Sequence, residues 1–124
     1  MSSMLLRDVT LRTHKAGDIG RITLSHADYY RLNWQFDASF ELERAQELSE
    51  FIAAFNKKSD ALWVAEHEGQ FAGSIAIDGK DGEATDARLR WFIVEPAWQG
   101  KGIGQKLIEQ ALTSCRERHY KKIV

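Results

Sequence analysis

Three glycines at alternating positions separate a strand pattern from a helix pattern. Residues 98–107, WQGKGIGQKL, contain Gly100, Gly102 and Gly104, and an amphipathic run follows them directly. A glycine inside a helix costs about 1 kcal/mol relative to alanine, so three of them at a helix start need a reason. Either this segment is a loose connector, or its backbone amides approach a ligand closely.

The position of this loop suits an anionic ligand. Backbone N–H groups at a helix N-terminus lack partners within the helix, and the helix dipole is positive there. A phosphate at that end would gain several hydrogen bonds at once. We expect a side chain at Gly102 or Gly104 to obstruct that approach.

Two widespread phosphate-binding loops do not match this segment. The Walker motif GxxxxGK[ST] fails because Gly100–Lys101 is followed by Gly102 and not by Ser or Thr. The dinucleotide fingerprint GxGxxG fails because Leu107 occupies the position of the third glycine. It also requires an acidic residue about 20 positions further on.

The rest of the chain predicts one α/β or α+β domain over residues 1–124, with the order β-α-α-β-β-β-α-β. The predicted elements are a strand at 5–13, helices at 18–31 and 40–57, a hairpin at 62–78 that turns at Glu68–Gly69, a strand at 87–95, a helix at 102–119 and a strand at 121–124. Asp18 is the expected N-cap of the first helix, and Pro96 ends the strand at 87–95. The final strand, helix and strand indicate a parallel pair joined by a crossover.

Apolar residues at helical spacing predict the buried faces. The expected core positions are Ile19, Ile22 and His26 in the first helix, Ala45, Leu48, Ile52 and Phe55 in the second, and Ile103, Leu107, Ala111 and Cys115 in the third. Cys115 therefore reads as a buried structural thiol rather than a nucleophile.

Composition excludes several classes of function. A net charge of −1 over 124 residues argues against a generally basic nucleic-acid binder. We do not expect the N-terminal residues MSSMLLRDVT to be a signal peptide, because they have no long apolar core and no small-residue cleavage site. No apolar run reaches the roughly 18 residues that a membrane helix needs. One cysteine cannot form an internal disulfide, so a reducing cytoplasm is the simplest compartment. The histidines show no metal-ligand spacing, and we expect no metal.

The pattern Gln99-x-x-Gly102-x-Gly104 after the strand LRWFIVEP resembles the acyl-CoA motif Q/R-x-x-G-x-G/A of the GNAT N-acetyltransferase superfamily. The resemblance extends from Val9 to Val124, because the preceding elements follow that family's order. It implies a mixed, mostly antiparallel sheet flanked by helices. It also implies transfer of an acetyl group from acetyl-CoA to an amine. The first half is similar to the acetyltransferase part of some fusions with MarR-type regulators.

The resemblance assigns two groups of residues to acetyl-CoA. The loop amides would hold the CoA pyrophosphate, at Gln99, Gly100, Lys101, Gly102, Ile103 and Gly104. The end of the preceding strand would pair with the pantetheine arm and the thioester carbonyl, at Phe92, Ile93 and Val94. The KKIV segment at 121–124 would be the neighbouring strand, splayed from the first to make the slot.

The segment between the first two helices is rich in aromatic residues. In the family that it resembles, this segment borders the acceptor site. Tyr30, Trp34 and Phe36 are its candidates for contacts with the amine substrate. Core packing of the helix pair is the alternative interpretation. Arg88 and Arg90 share one face of the strand at 87–95, where they would either steer an anion or form a solvated face.

The catalytic groups are not assigned from the sequence. Five carboxylates are candidates for the general base, and each is expected to be an ordinary surface group: Asp37, Glu41, Glu43, Glu83 and Asp86. Tyr120 lies near the end of the helix at 102–119, so we do not assign it as the general acid. A non-catalytic acyl-CoA-binding or regulatory module is therefore the alternative function.

We expect the 124-residue chain to be a poor catalyst. In the family, the tyrosine that acts as general acid lies on a helix that would follow Val124, and two further strands come after it. A positioned acid or base contributes about 10² to 10⁴-fold to a rate, and an open sheet edge favours association, for example as a homodimer. An assay of this chain beside one extended through that helix and both strands checks this. Equal turnover by the two would contradict the expectation.

Overall fold

The structure is a computed structural model that describes residues 8–35, 37–79 and 86–123. In this part of the chain, five strands and three α-helices follow the predicted order. They are β1 (Val9–Thr13), α1 (Asp18–Trp34), α2 (Ala38–Ala53), β2 (Ala61–His67), β3 (Gln70–Asp78), β4 (Asp86–Val94), α3 (Ile103–Glu117) and β5 (Lys122–Ile123), with a short 3₁₀ helix at Pro96–Trp98 between β4 and α3. The predicted fold class is confirmed.

The strands form one sheet in the order β1-β2-β3-β4-β5. Its first three pairings are antiparallel, and β4 pairs with β5 in parallel. The predicted hairpin turns at Glu68 and Gly69, whose φ values of 51° and 78° are both left-handed, as a two-residue hairpin turn of the primed type requires. The predicted crossover from β4 through α3 to β5 is also confirmed.

The starts of the first two helices depend on local hydrogen bonds. The prediction of Asp18 as an N-cap is wrong: Gly17 takes that position with φ 99°, and the Asp18 carboxylate accepts a hydrogen bond from the Lys15 backbone N–H at 2.7 Å. The second helix begins two residues earlier than predicted because Asp37 caps it. Its carboxylate accepts from the Ser39 N–H at 3.0 Å.

The chain divides into two compact units. One contains the five strands and α3, and the other, residues 15–55, contains α1 and α2. The core of the first unit is made of Val9, Ala61, Ala65, Ala72, Ile75, Ile77, Ala87, Ile103, Leu107, Ala111 and Cys115. This confirms the apolar stripe predicted for the third helix. In the helical unit, Ile22, His26 and Leu48 are buried as predicted, and so is Phe51, which was not predicted. The prediction is wrong for four other positions, which are only partly buried: Ile19, Ala45, Ile52 and Phe55.

Gly73 of β3 allows the sheet and α3 to pack closely. A Cβ added there would lie 2.6 Å from the carbonyl oxygen of Ile93 and 3.2 Å from Cδ1 of Leu107. The carbonyl oxygen of Ile93 is a backbone atom, so it can move away only if β4 itself moves. Glycine at this position therefore fixes how closely β4 and α3 approach β3.

A pair of Gly→Ala variants tests this packing. We expect Gly73→Ala to lower the free energy of unfolding by about 1 to 3 kcal/mol through overpacking. Gly20→Ala is the control, since Gly20 lies in α1 and a Cβ there meets nothing within 4 Å. It should raise stability by up to about 1 kcal/mol through helix propensity. Urea unfolding measures both, and equal effects of the two variants would contradict this account of Gly73.

Candidate functional site

The glycine loop begins where β4 ends. Pro96–Trp98 turns the chain out of the strand, and the Gln99 side-chain Nε2 donates a hydrogen bond to the carbonyl oxygen of Val94 at 3.1 Å. Gln99 therefore closes the loop back onto the strand. Its backbone is extended, with φ −70° and ψ 152°, and leads directly into the glycines.

Two of the three glycines are required by the backbone. Gly100 and Gly102 have φ values of 76° and 85°, in the left-handed region that side chains disfavour. Gly102 is the N-cap of α3, and within the described residues no side chain caps that helix. The first-turn amides, from Ile103 onward, therefore point out of the helix end toward the loop.

The third glycine lies against β4. A Cβ on Gly104 would be 3.5 Å from Cζ of Phe92 and 3.5 Å from Cγ2 of Val94, which are ordinary contact distances. The first turn of α3 thus packs on the end of β4, and β4 leaves room for an alanine at this position. Packing alone does not require glycine at Gly104, whereas backbone conformation requires it at Gly100 and Gly102.

A β-bulge distorts β4 just before the loop. Ser74 of β3 pairs with Ile93 and Ala76 pairs with Arg90, so two residues of β4 oppose only Ile75. Trp91 is one of those two and has φ 48°, which is rare for a bulky side chain. Such a conformation costs about 1 to 3 kcal/mol and persists only where its surroundings hold it.

Several contacts hold the bulge. The Ser74 hydroxyl, fully buried, donates to the Trp91 carbonyl oxygen at 2.7 Å. The Trp91 ring is 7% exposed, and the Arg90 guanidinium lies 4.0 Å from the ring centroid. Arg90 is also paired with Asp78 at 2.9 Å. Arg90 therefore helps to hold the bulge and does not form an anion-steering face with Arg88. Arg88 itself is exposed.

The pairing of β4 with β5 lies at the opposite end of β4 from the glycine loop. Among the described residues, β5 pairs with β4 at Asp86 and Ala87, near the start of the strand. Phe92, Ile93 and Val94 lie at the other end, next to the glycine loop. Sequence reasoning placed these three residues beside the loop. It missed the bulge and Ser74, because no sequence signal marks a tryptophan with positive φ.

The aromatic candidates belong to the helical unit. The Tyr30 ring lies 4.8 Å from that of Phe40 and 5.3 Å from that of Tyr29. Trp34 ends α1 and is 63% exposed, so core packing does not describe it. Phe36 lies outside the described residues.

The described candidate bases belong to α2 and β4. Asp37 caps α2, and its hydrogen bonds to the Ser39 hydroxyl and N–H lower the pKa of that carboxyl. Glu41 and Glu43 are exposed on α2, and Glu43 lies 3.6 Å from Arg44. Asp86 is exposed at the start of β4, at the opposite end from the loop, and Glu83 lies outside the described residues. Among the described candidates, none is singled out as the base.

The contacts of Tyr120 and the burial of Cys115 indicate structural roles for both residues. The Tyr120 hydroxyl donates to the Ser59 carbonyl oxygen at 2.6 Å, and burial raises the pKa of this phenol. Tyr120 follows the C-terminal end of α3, about 20 Å along the helix from the loop at its other end. Burial also raises the pKa of the Cys115 thiol, as expected for an unreactive core cysteine.

The sequence profile of the Acetyltransferase (GNAT) family matches residues 25–124. Uncharacterized N-acetyltransferase YjgM of Escherichia coli strain K12 is 32% identical over 76 residues, which cover 60% of this chain and 46% of YjgM. The match thus spans less than half the length of that relative. The fold and the glycine loop define a GNAT-type domain, and the chain belongs to the acetyltransferase (GNAT) family.

Solved structures share this fold. A predicted acetyltransferase of Clostridium acetobutylicum, solved with acetyl-CoA, has a TM-score of 0.73 and 18% identity, and the alignment covers 94% of this chain and 79% of that one. A GNAT family acetyltransferase of Brucella melitensis, solved in complex with acetyl-CoA, has a TM-score of 0.70 and 26% identity. Its alignment covers 93% of this chain and 73% of that one.

The described residues also bear on metal binding and membrane insertion. Within residues 8–35, 37–79 and 86–123, no group of three or more His, Cys, Asp or Glu side chains is arranged to hold a metal ion. No helix in the same ranges has the length and apolar character to cross a membrane.

The exposure of Trp34 yields a stability prediction. We expect Trp34→Ala to change the free energy of unfolding by less than about 0.5 kcal/mol, as is usual for surface substitutions. Phe51→Ala is the control within the same unit, because Phe51 of α2 is 8% exposed. That variant should lose about 3 to 5 kcal/mol. Chemical denaturation measures both, and a loss at Trp34 as large as that at Phe51 would show that Trp34 is part of the core.

Proposed function

We propose that this chain is an acetyl-CoA-dependent N-acetyltransferase domain that transfers an acetyl group to an amine. The observation that carries the proposal is the uncapped start of α3. Its N-cap is a left-handed glycine, and it lies directly beyond the end of β4. Family membership supports the same conclusion.

The pyrophosphate of CoA is the proposed ligand of the loop. Its negative oxygens would accept hydrogen bonds from the amides of Gly102, Ile103 and Gly104, at the positive end of the α3 dipole. Gln99, Gly100 and Lys101 complete the proposed site. Lys101 is exposed and adds a positive charge beside the loop.

The second half of β4 is the proposed binding edge for the pantetheine arm. Backbone groups of Phe92, Ile93 and Val94 would pair with the amides of that arm, as a neighbouring strand would. This places the thioester near the β-bulge. The N–H groups there would hydrogen-bond the thioester carbonyl and stabilise the negative charge that develops on its oxygen.

Acetyl transfer in this arrangement is a direct displacement. The neutral amine attacks the carbonyl carbon, a C–N bond forms, and the C–S bond to CoA breaks. The amine gives up one proton to a base or to water, and the CoA thiolate takes up one proton. No residue is assigned to either proton transfer, so positioning and carbonyl polarisation are the contributions proposed for this chain.

The acceptor contacts, the cellular location and the assembly are also part of this proposal. Tyr30, Trp34 and Phe36 are the proposed contacts for the amine acceptor, and exposure makes Trp34 accessible to a ligand. Because the chain has a single cysteine, which is free, a cytoplasmic location is proposed. A homodimer is the proposed assembly.

A matched pair of glycine variants tests the loop. Gly17 and Gly102 are both left-handed N-cap glycines, of α1 and α3, so alanine strains the backbone equally at each. We expect Gly102→Ala to weaken CoA binding by about tenfold or more, since a hydrogen bond to a charged group contributes about 1.5 to 3 kcal/mol. Gly17→Ala should leave the affinity unchanged.

Isothermal titration calorimetry with CoA measures these affinities, with circular dichroism to confirm folding. Unchanged affinity in a folded Gly102→Ala variant would contradict the loop assignment. Turnover of acetyl-CoA with a panel of primary amines then separates the two functions. Tight CoA binding without acetylation of any amine would favour the alternative, an acyl-CoA-binding or regulatory module.

A further inference from the structure

One buried side chain of β3 is among the groups that hold the β-bulge in β4. Ser74 is fully buried, and its hydroxyl donates to the carbonyl oxygen of Trp91 at 2.7 Å. A buried carbonyl requires a partner, and the bulge interrupts the regular ladder between β3 and β4 at this point. The Ser74 hydroxyl supplies a hydrogen bond to the backbone of the bulge.

The hydrogen bond to the Trp91 carbonyl also orients the N–H of Phe92, because both groups belong to the same peptide unit. The described chain has no cis peptide bonds, so the peptide between Trp91 and Phe92 is trans and planar. In such a unit the carbonyl and the next N–H point in opposite directions. Because the Trp91 carbonyl points at the Ser74 hydroxyl, the N–H of Phe92 points away from that hydroxyl.

That direction is the side of β4 where the acyl group would lie. The sheet order places β3 and β5 on opposite sides of β4. Among the described residues, β5 pairs only with the start of β4, at Asp86 and Ala87. The Phe92 N–H, which points away from the Ser74 hydroxyl, is therefore the candidate donor for the edge that the proposed function gives to the thioester.

We propose that Ser74 is a positioning residue for acetyl transfer: its hydroxyl fixes the Trp91–Phe92 peptide so that the Phe92 N–H hydrogen-bonds the thioester carbonyl. This inference rests on the proposed function. Trp91 has φ 48°, a conformation from which the peptide would rotate if nothing held it. Removing the hydroxyl takes away one hydrogen bond that orients this peptide. The donor is then less well directed, while the CoA loop stays intact.

Ser74→Ala is the test variant, and Ser114→Ala is its matched control. Ser114 lies on α3 and is 3% exposed, so the control also deletes a buried hydroxyl. Loss of one preorganised oxyanion donor lowers kcat by about 10² to 10³-fold, and we expect at least about a tenfold fall in kcat when that donor is misdirected. KM for acetyl-CoA and the affinity for CoA should change little, and Ser114→Ala should match the wild type.

A spectroscopic measurement makes the test independent of turnover. The infrared stretch of acetyl-CoA labelled with ¹³C at the thioester carbonyl should shift to lower frequency on binding to the wild-type chain, because a hydrogen bond weakens the C=O bond. The shift should be reduced in Ser74→Ala and retained in Ser114→Ala. If Ser74→Ala does not fold, Ser74→Cys, which keeps a weak donor, takes its place with an intermediate shift expected.

The outcomes separate the two claims. A Ser74→Ala chain that keeps both the wild-type shift and the wild-type kcat overturns the role of Ser74 and leaves the proposed function intact. Equal losses in Ser74→Ala and Ser114→Ala also overturn it, since they would reflect general destabilisation. Failure of the wild-type chain to bind acetyl-CoA overturns the proposed function, and this inference with it.

Discussion

The pairing of β3 with β4 is the constraint on which the site depends. Two adjacent residues of β3 shape it: Gly73 leaves room for the Ile93 carbonyl, and Ser74 donates to the Trp91 carbonyl. Gly73 sets the distance between the strands and allows Leu107 of α3 to approach. The hydroxyl of Ser74 helps to orient the Trp91–Phe92 peptide in the bulge. The end of β4 is therefore held from one side by its neighbouring strand.

The glycine loop takes its position from that strand end. Gln99 bonds back to the Val94 carbonyl, and Gly104 brings the first turn of α3 against Phe92 and Val94. The start of α3 and the Phe92–Val94 end of β4 consequently lie side by side. A ligand with an anionic group and an extended amide chain is complementary to this arrangement, which is why acetyl-CoA is the proposed substrate.

The strain at Trp91 is compensated locally. The ring is buried, Arg90 stacks on it, and Asp78 pairs with Arg90. These contacts lie on the two strands that form the bulge, so β4 is both distorted and rigid there. Strain held in this way is common at functional sites. It permits a backbone N–H to be directed at a ligand without rearrangement during the reaction.

The sequence by itself determined the element order, the α3 stripe through Leu107 and Cys115, and the glycine loop. Hydrophobic periodicity and glycine at a helix start depend on local chemistry, which a sequence displays directly. Only the tertiary structure decided the bulge at Trp91, the partner of Ser74 and the exposure of Trp34. These depend on register between strands and on packing between segments distant in the chain. A buried serine or a tryptophan with positive φ has no local signature, because the neighbouring strand imposes each one.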